Sequence, residues 1–148
     1  MTEQEQYMTL ALEQARLAQS RGEVPVGAVL VQNGQVLAAC GNTREQENDP
    51  LGHAEIKVIQ EGARILGDWR LTGCTLYVTL EPCPMCAGAI LNARIQKVVY
   101  GASDPAAGCL GSRIHMFDMD LGYRPLVTAG ILAEQCSALM SEFFKERR

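Results

Sequence analysis

Long apolar runs are missing from this chain of 148 residues, and none approaches the roughly 20 residues that a membrane-spanning helix needs. Positive charge is short as well: 13 Lys and Arg against 17 Asp and Glu leave a net charge of −4 and a pI near 5.2. That is not the electrostatic footprint of a general nucleic-acid binder, so any such contact has to come from a local patch. The opening residues, Met1 to Gln6, are acidic and polar, unlike an export signal. The six cysteines are accordingly expected to be thiols of a cytoplasmic protein rather than a disulfide framework. Internal repeats and low-complexity stretches are absent. Histidine is scarce, limited to His53 and His115.

What is present is ordinary for a folded protein, with 47% hydrophobic and 20% charged residues. The length suits a single domain over residues 1–148, large enough to bury a sizeable core. Met8, Ala11, Leu12, Ala15 and Ala18 recur at helical spacing and predict an amphipathic helix from about Tyr7 to Ser20. Val26–Val31 and Val36–Cys40 are short apolar runs joined by Asn33-Gly34, a hairpin signal. A polar loop over residues 41–52 leads to a second helix from near His53 to Leu66, with Ile56, Ile59, Ala63 and Leu66 inward. Thr75–Leu80 reads as a buried strand. A third helix opens at the Pro-Cys segment, runs to about Arg94, and turns Ala87, Ile90 and Leu91 inward. Lys97–Gly101 is a further strand, Leu126–Thr128 a last one, and Ile131–Lys145 a final helix. Residues 103–124 hold three glycines and no periodicity beyond a short helix near Arg113–Phe117. This order suits an α/β fold with a central mixed sheet covered by helices on both faces.

The chemistry sits in two short segments, His53-Ala54-Glu55 and Pro82-Cys83-Pro84-Met85-Cys86. One imidazole and two thiolates are a zinc donor set. Structural sites close with four protein ligands, whereas catalytic sites leave a position for water. Cys83 and Cys86, three apart, share one face of a helix, and the prolines suit its first turn. A helix N-terminus also lowers a thiol pKa and so favours the thiolate. Glu55 lies two residues from His53, a spacing that does not share a helix face, so the two converge only if the helix begins there. Glu55 is then placed to take a proton from water made acidic by a metal. His115 reads as a surface or rim residue, Trp69 and Phe117 as packing, and Cys40, Cys74, Cys109 and Cys136 as small core residues.

His-x-Glu followed by Pro-Cys-x-x-Cys resembles the signature of the zinc-dependent cytidine and deoxycytidylate deaminase superfamily. Within it, several stretches are similar to bacterial tRNA adenosine deaminases. They are Gly22 to Val29, Tyr77 to Ala89, Gly101 to Asp104 through Gly108, Gly130 to Leu132, and Ser141 to Phe144. The resemblance implies a three-layer α/β/α cytidine-deaminase-like fold with a mixed five-stranded sheet. It implies hydrolytic deamination of a wobble adenosine to inosine in a tRNA anticodon loop, by a water activated on one Zn2+ per subunit. His53, Cys83 and Cys86 would hold the metal and Glu55 would shuttle the proton. Asn42 would contact the target nucleoside, Val26 would line the base pocket, and the amide of Ala54 would face the water. Asp104 and Phe144 would touch neighbouring nucleotides. Taken alone, Asn42 reads equally as a turn residue and Phe144 as core packing. The resemblance further implies a homodimer whose partner subunit helps bind RNA, with Lys145, Arg147 and Arg148 as a local basic patch.

Two features depart from the family pattern. Gly122-Tyr123 stands where relatives carry an Asn-His pair, and the longer basic tail of many relatives does not follow Arg148. Two alternatives therefore stand beside the tRNA reading: a deaminase of free guanine, cytosine or cytidine, and a zinc-stabilised binding module without turnover.

Overall fold

The structure is a computed structural model that describes residues 1–147. Arg148, one of the three basic residues named above, lies outside the described residues. The elements are α1 (Glu3–Ser20), β1 (Gly27–Gln32), β2 (Gln35–Gly41), α2 (Ala54–Leu66), β3 (Cys74–Leu80), α3 (Pro84–Asn92) and β4 (Lys97–Ala102). A short 3-10 helix (Met116–Asp118), β5 (Leu126–Ala129) and α4 (Ala133–Glu146) follow. One sheet takes the order β2-β1-β3-β4-β5. β1 runs antiparallel to β2 and β3, while β3-β4 and β4-β5 are parallel. The expected mixed five-stranded sheet is present.

Alternation along the strands divides the core into two. Ala28, Leu30, Leu76, Val78, Val98 and Tyr100 turn toward α2 and α3, where they meet Val58, Ala87 and Ile90. Val29, Val31, Tyr77 and Val99 turn toward α1 and α4, onto Met8, Ala11, Leu12, Cys136 and Leu139. The sheet is thus sandwiched between two helical layers. Because β3 and β4 are parallel, their C-terminal ends lie side by side, with Leu80 opposite Ala102. Loops leaving that edge are where α/β sheets bind ligands.

Several expectations need adjustment. α1 begins at Glu3 rather than near Tyr7, because Thr2 and Glu5 form a reciprocal capping box in a stretch too polar to show periodicity. Its five expected inward residues are all buried. In α2 the deepest apolar contacts are made by Val58 and Gly62, with Ile59, Ala63 and Leu66 flanking them and Ile56 only half-buried. Gly62 lets the helix lie close on β1, since a Cβ there would overlap the Leu30 side chain and force it to shift. Trp69 is 55% exposed and stacks on Arg70 at 4.4 Å, because it sits in the turn beyond the end of α2, outside either core. Cys74, Cys109 and Cys136 are buried as expected, whereas Cys40 is half-buried. Asn33 (φ 50°) and Gly34 (φ 75°) make the expected hairpin turn with left-handed backbone. No helix among the described residues is long and apolar enough to cross a membrane.

Gly27 shows how closely α1 lies on the sheet, because a Cβ there would overlap the carbonyl oxygen of Ala11 and crowd the amide of Ala15. Backbone cannot give way as a flexible side chain can. Gly27→Ala is expected to cost about 3 kcal/mol or more, read as a lowered urea midpoint with an unchanged slope. A midpoint within error of the parent would contradict the packing described here.

Candidate active site

Two helix N-termini meet at the C-terminal edge of β3. His53 is the residue before α2, in extended backbone (φ −88°, ψ 147°), and its side chain makes no cap hydrogen bond. The helix does begin there, so His53 and Glu55 turn toward one cavity despite their spacing. Cys83 occupies the same position before α3, Pro84 opens the first turn and Cys86 follows within it. The helix dipoles therefore present their positive ends to the thiols.

The three donor atoms cluster tightly. His53 Nδ1 lies 3.6 Å from Cys83 Sγ and 3.4 Å from Cys86 Sγ. All three ligand atoms fall within 4.8 Å of one another, and no other such trio occurs among the described residues. Zinc bonds of about 2.0–2.1 Å to nitrogen and 2.3 Å to sulfur, arranged tetrahedrally, require ligand atoms roughly 3.6 Å apart. The residues fit zinc, and three ligands leave its fourth position to a non-protein group.

Charge at the site follows from proximity. The Cys83 thiol is lowered to about 4, first by its hydrogen bond with Cys86 and then, against the opposing effect of burial, by His53. Cys86 is pushed up by the same bond and by burial. The Cys83 sulfur also raises the pKa of His53. Glu55 is 3% exposed, and burial raises its carboxyl above the ordinary range.

The cavity is bounded by His53, Glu55, Cys83, Val26 and Asn42, with Asp104 and Ala107 on the far wall. At about 150 Å³ it is well below the roughly 300 Å³ at which drug-sized pockets begin, which suits one flat base rather than a stretch of polymer. Of the substrate contacts expected from the sequence, Val26, Asn42 and Asp104 therefore line the same space as the metal trio. Phe144 does not; it is 50% exposed and lies outside, in an adjoining hollow that it shares with Asp104 and Lys145. The amide of Ala54, expected to face the reacting water, instead donates to Asn42 Oδ1 at 2.8 Å. Asn42 thereby satisfies one of the orphan donors that begin α2, a task that His53 leaves open. Asn42→Ala is expected to destabilise the fold by about 1–2 kcal/mol in chemical denaturation, and Asn42→Asp, which keeps the acceptor, by less.

Three residues here escaped sequence reading. Arg44 lines both the cavity and a neighbouring hollow formed with Phe143, Phe144 and Arg147. Glu23 (1% exposed) accepts from the amides of Glu45 (3.0 Å) and Gln46 (2.7 Å) and so pins the loop that carries Arg44. Glu81 (2% exposed) does the same for the loop on the other wall. The signal was an acid inside an otherwise apolar stretch, Glu-Val-Pro-Val in one case and Thr-Leu-Glu-Pro in the other.

His115 is on the surface, 3.7 Å from Asp118, as expected. Phe117 is buried packing. Tyr123 directs its hydroxyl to the carbonyls of Arg94 (3.2 Å) and Ile95 (3.0 Å), at the end of β4 remote from the cavity. The Gly122-Tyr123 departure is therefore a structural tie within this chain. Arg147 stacks on Phe143 at 4.3 Å and donates to Gly22 O, so the C-terminal basic residues begin beside the Arg44 hollow.

Residues 2–148 match the MafB19-like deaminase family. The tRNA-specific adenosine deaminase of Bacillus subtilis is 48% identical over all of this chain and 92% of its own length. That of Haemophilus influenzae is 49% identical over 97% of this chain and 84% of its own. A structure solved in a study of A-to-I editing at the wobble position of transfer RNA superposes with a TM-score of 0.88 at 45% identity, covering 90% of this chain and 98% of that one. The guanine deaminase of Bacillus subtilis is more distant, with 31% identity and a TM-score of 0.67 over 99% of this chain and 94% of its own. The chain belongs to the MafB19-like deaminase family, together with the tRNA-specific adenosine deaminases.

Proposed function

We infer that the protein is an enzyme that hydrolyses the wobble adenosine of a tRNA anticodon loop to inosine, releasing ammonia. The observation that carries this is the joining of a zinc-fitting trio and a buried acid in one base-sized cavity, on a chain nearly half identical to tRNA-specific adenosine deaminases. His53, Cys83 and Cys86 would hold one Zn2+. Bound there, zinc supplies Lewis acidity that brings the pKa of water to about 7. Glu55 would accept a proton from the attacking water, pass it to the ring nitrogen beside the attacked carbon, and then assist the departing amino group. Its burial suits this work, since burial raises the carboxyl's affinity for a proton above that of an exposed glutamate. Val26 and Asn42 bound the base, and Asp104 and Phe144 flank the route to the neighbouring nucleotides.

The guanine-deaminase likeness supports the free-base alternative, but at lower identity and with a poorer superposition than the tRNA-editing relatives. A side-by-side assay separates the two. An anticodon stem-loop with wobble adenosine is expected to be converted to inosine, while free adenosine, cytidine, cytosine and guanine are untouched. Turnover of a free base alone would overturn the tRNA reading.

A homodimer is part of the proposal. Ile114, Met119, Leu121, Leu126 and Val127, all from the segment leading into β5 and its start, are exposed apolar side chains that a partner subunit would cover. Light scattering should therefore give twice the 16.1 kDa chain mass, and a monomer mass at micromolar concentration would reject it. A tRNA substrate and six free cysteines favour the cytoplasm, which cell fractionation checks.

A further inference from the structure

Glu81 is the most completely engaged side chain near the cavity, and nothing in the deamination chemistry requires it. It follows β3 directly, is 2% exposed, and donates its own amide to Ala102 O at 2.9 Å. Its carboxylate Oε1 accepts from the amide of Asp104 (3.0 Å) and from the hydroxyl of Ser112. Oε2 accepts from the amides of Leu110 (2.9 Å) and Ser112 (3.1 Å). An ionised carboxylate offers about four acceptor positions, and here donors from one loop fill them all. No acceptor capacity remains for a substrate proton, so Glu81 is not a second general base. Burial pushes its carboxyl up, yet the Ser112 hydroxyl and the three amides outweigh burial and hold it below the ordinary value.

The loop it gathers is the far wall of the cavity, carrying Asp104 and Ala107. This stretch has little regular structure, so its backbone amides need acceptors from elsewhere. Asp104 Oδ1 takes the amides of Ala106 (3.0 Å) and Ala107 (3.3 Å), shaping the turn. Cys109 donates both its amide (3.1 Å) and its thiol (3.2 Å) to the carbonyl of Pro82, the residue before the metal-site Cys83. Gly108 makes the approach possible, because a Cβ there would overlap the Glu81 carboxylate. The loop is thus tied to the end of β3 at several points, with Glu81 as the hub.

We propose that Glu81 is a positioning residue for the deamination: its carboxylate gathers the amides of Asp104, Leu110 and Ser112 and fixes the wall against which the target nucleoside is seated. It acts through the loop and not on the reacting atoms. The proposal rests on the deaminase reading of the cavity, and it locates substrate selection partly in a residue that never touches the substrate.

The test is hydrogen exchange on the zinc-loaded protein, paired with kinetics on the anticodon stem-loop. Glutamine in Glu81→Gln has one acceptor oxygen and turns an NH2 toward amide donors. Exchange at Asp104, Leu110 and Ser112 is expected to accelerate about tenfold or more, while the amides of α3 stay protected. Zinc content should be unchanged, and KM should rise about tenfold with kcat within about threefold. Ser112→Ala, a milder change that folds even if Glu81→Gln does not, is expected to speed exchange at Leu110 and Ser112 about two- to fivefold. Unchanged exchange in either variant, or lost zinc with KM unaltered, overturns the proposal. If the parent fails on the stem-loop, the tRNA reading falls but the exchange arm still decides the role of Glu81, because it needs no substrate.

Discussion

Glu55→Gln is expected to lower kcat by about three orders of magnitude while leaving the zinc content at that of the parent protein. Glutamine keeps the shape of the side chain and removes its ability to carry a proton. The same substitution should affect stability in the opposite direction. Burial raises the Glu55 carboxyl above its ordinary 4.5 in the folded chain. A carboxyl raised on folding contributes stability that is fully present below the unfolded pKa and is lost as pH rises through the folded value. In metal-free protein at neutral pH, where the unfolded chain would ionise Glu55, Glu55→Gln should therefore unfold at a higher temperature than the parent. The gap should close as the pH falls below about 4.5. Calorimetry on both metal-free proteins between pH 4 and pH 8 checks this. A parent more stable than the variant at pH 7 would show that the buried acid is not a cost to folding.

Stripping the metal is expected to abolish activity and leave the fold standing. Both hydrophobic cores close without any contribution from His53 or Cys83, and the ligands hang from the starts of α2 and α3. Chelation should leave the far-ultraviolet circular dichroism unchanged. Its thermal cost should be only the binding linkage, about 4 kcal/mol for free zinc at a thousand times its Kd. Cys86→Ala should carry the same loss into the sequence, cutting bound zinc from about one per chain to below about 0.1 under dialysis. A protein held together by zinc behaves otherwise and unfolds when the ion is removed. That outcome would favour the non-catalytic module over the enzyme.

On these expectations neighbouring acids do different work. Glu55 lines the cavity and is expected to weaken the fold when ionised. Glu23 and Glu81 are equally buried, but each of their oxygens accepts from a backbone amide, and they hold loops. Glu55 and Glu81 line the cavity while Glu23 pins the loop carrying Arg44 beside it, and the hydrogen-bond partners, not burial, set Glu55 apart from the two clamps.

Much of this was legible in the chain itself. The inward residues of α1 and α3 follow directly from apolar spacing, since one helix face must reach the core. Asn33-Gly34 specifies its turn through left-handed backbone, which is a local property. The metal trio is also local in its halves, because each segment carries its own chemistry and its own helix start. What spacing alone does not contain is anything set by two distant segments meeting. In α2 Gly62 packs on the Leu30 side chain of β1, and Trp69 is exposed because its turn projects beyond both cores.

The same division holds at the site. The amino-acid sequence by itself determined the donor set, the acid beside it and the order of elements, because ligand chemistry and periodicity are written in neighbouring residues. Only the tertiary structure decided that Asn42 caps α2 through Ala54, that Phe144 stands outside the cavity, and that Tyr123 ties down Arg94 and Ile95. It also turned Glu23 and Glu81 from unremarked acids into the anchors of the two loop walls. Their partners lie at least 22 positions away in the chain, and a hydrogen bond over that separation exists only once the sheet has brought its ends together.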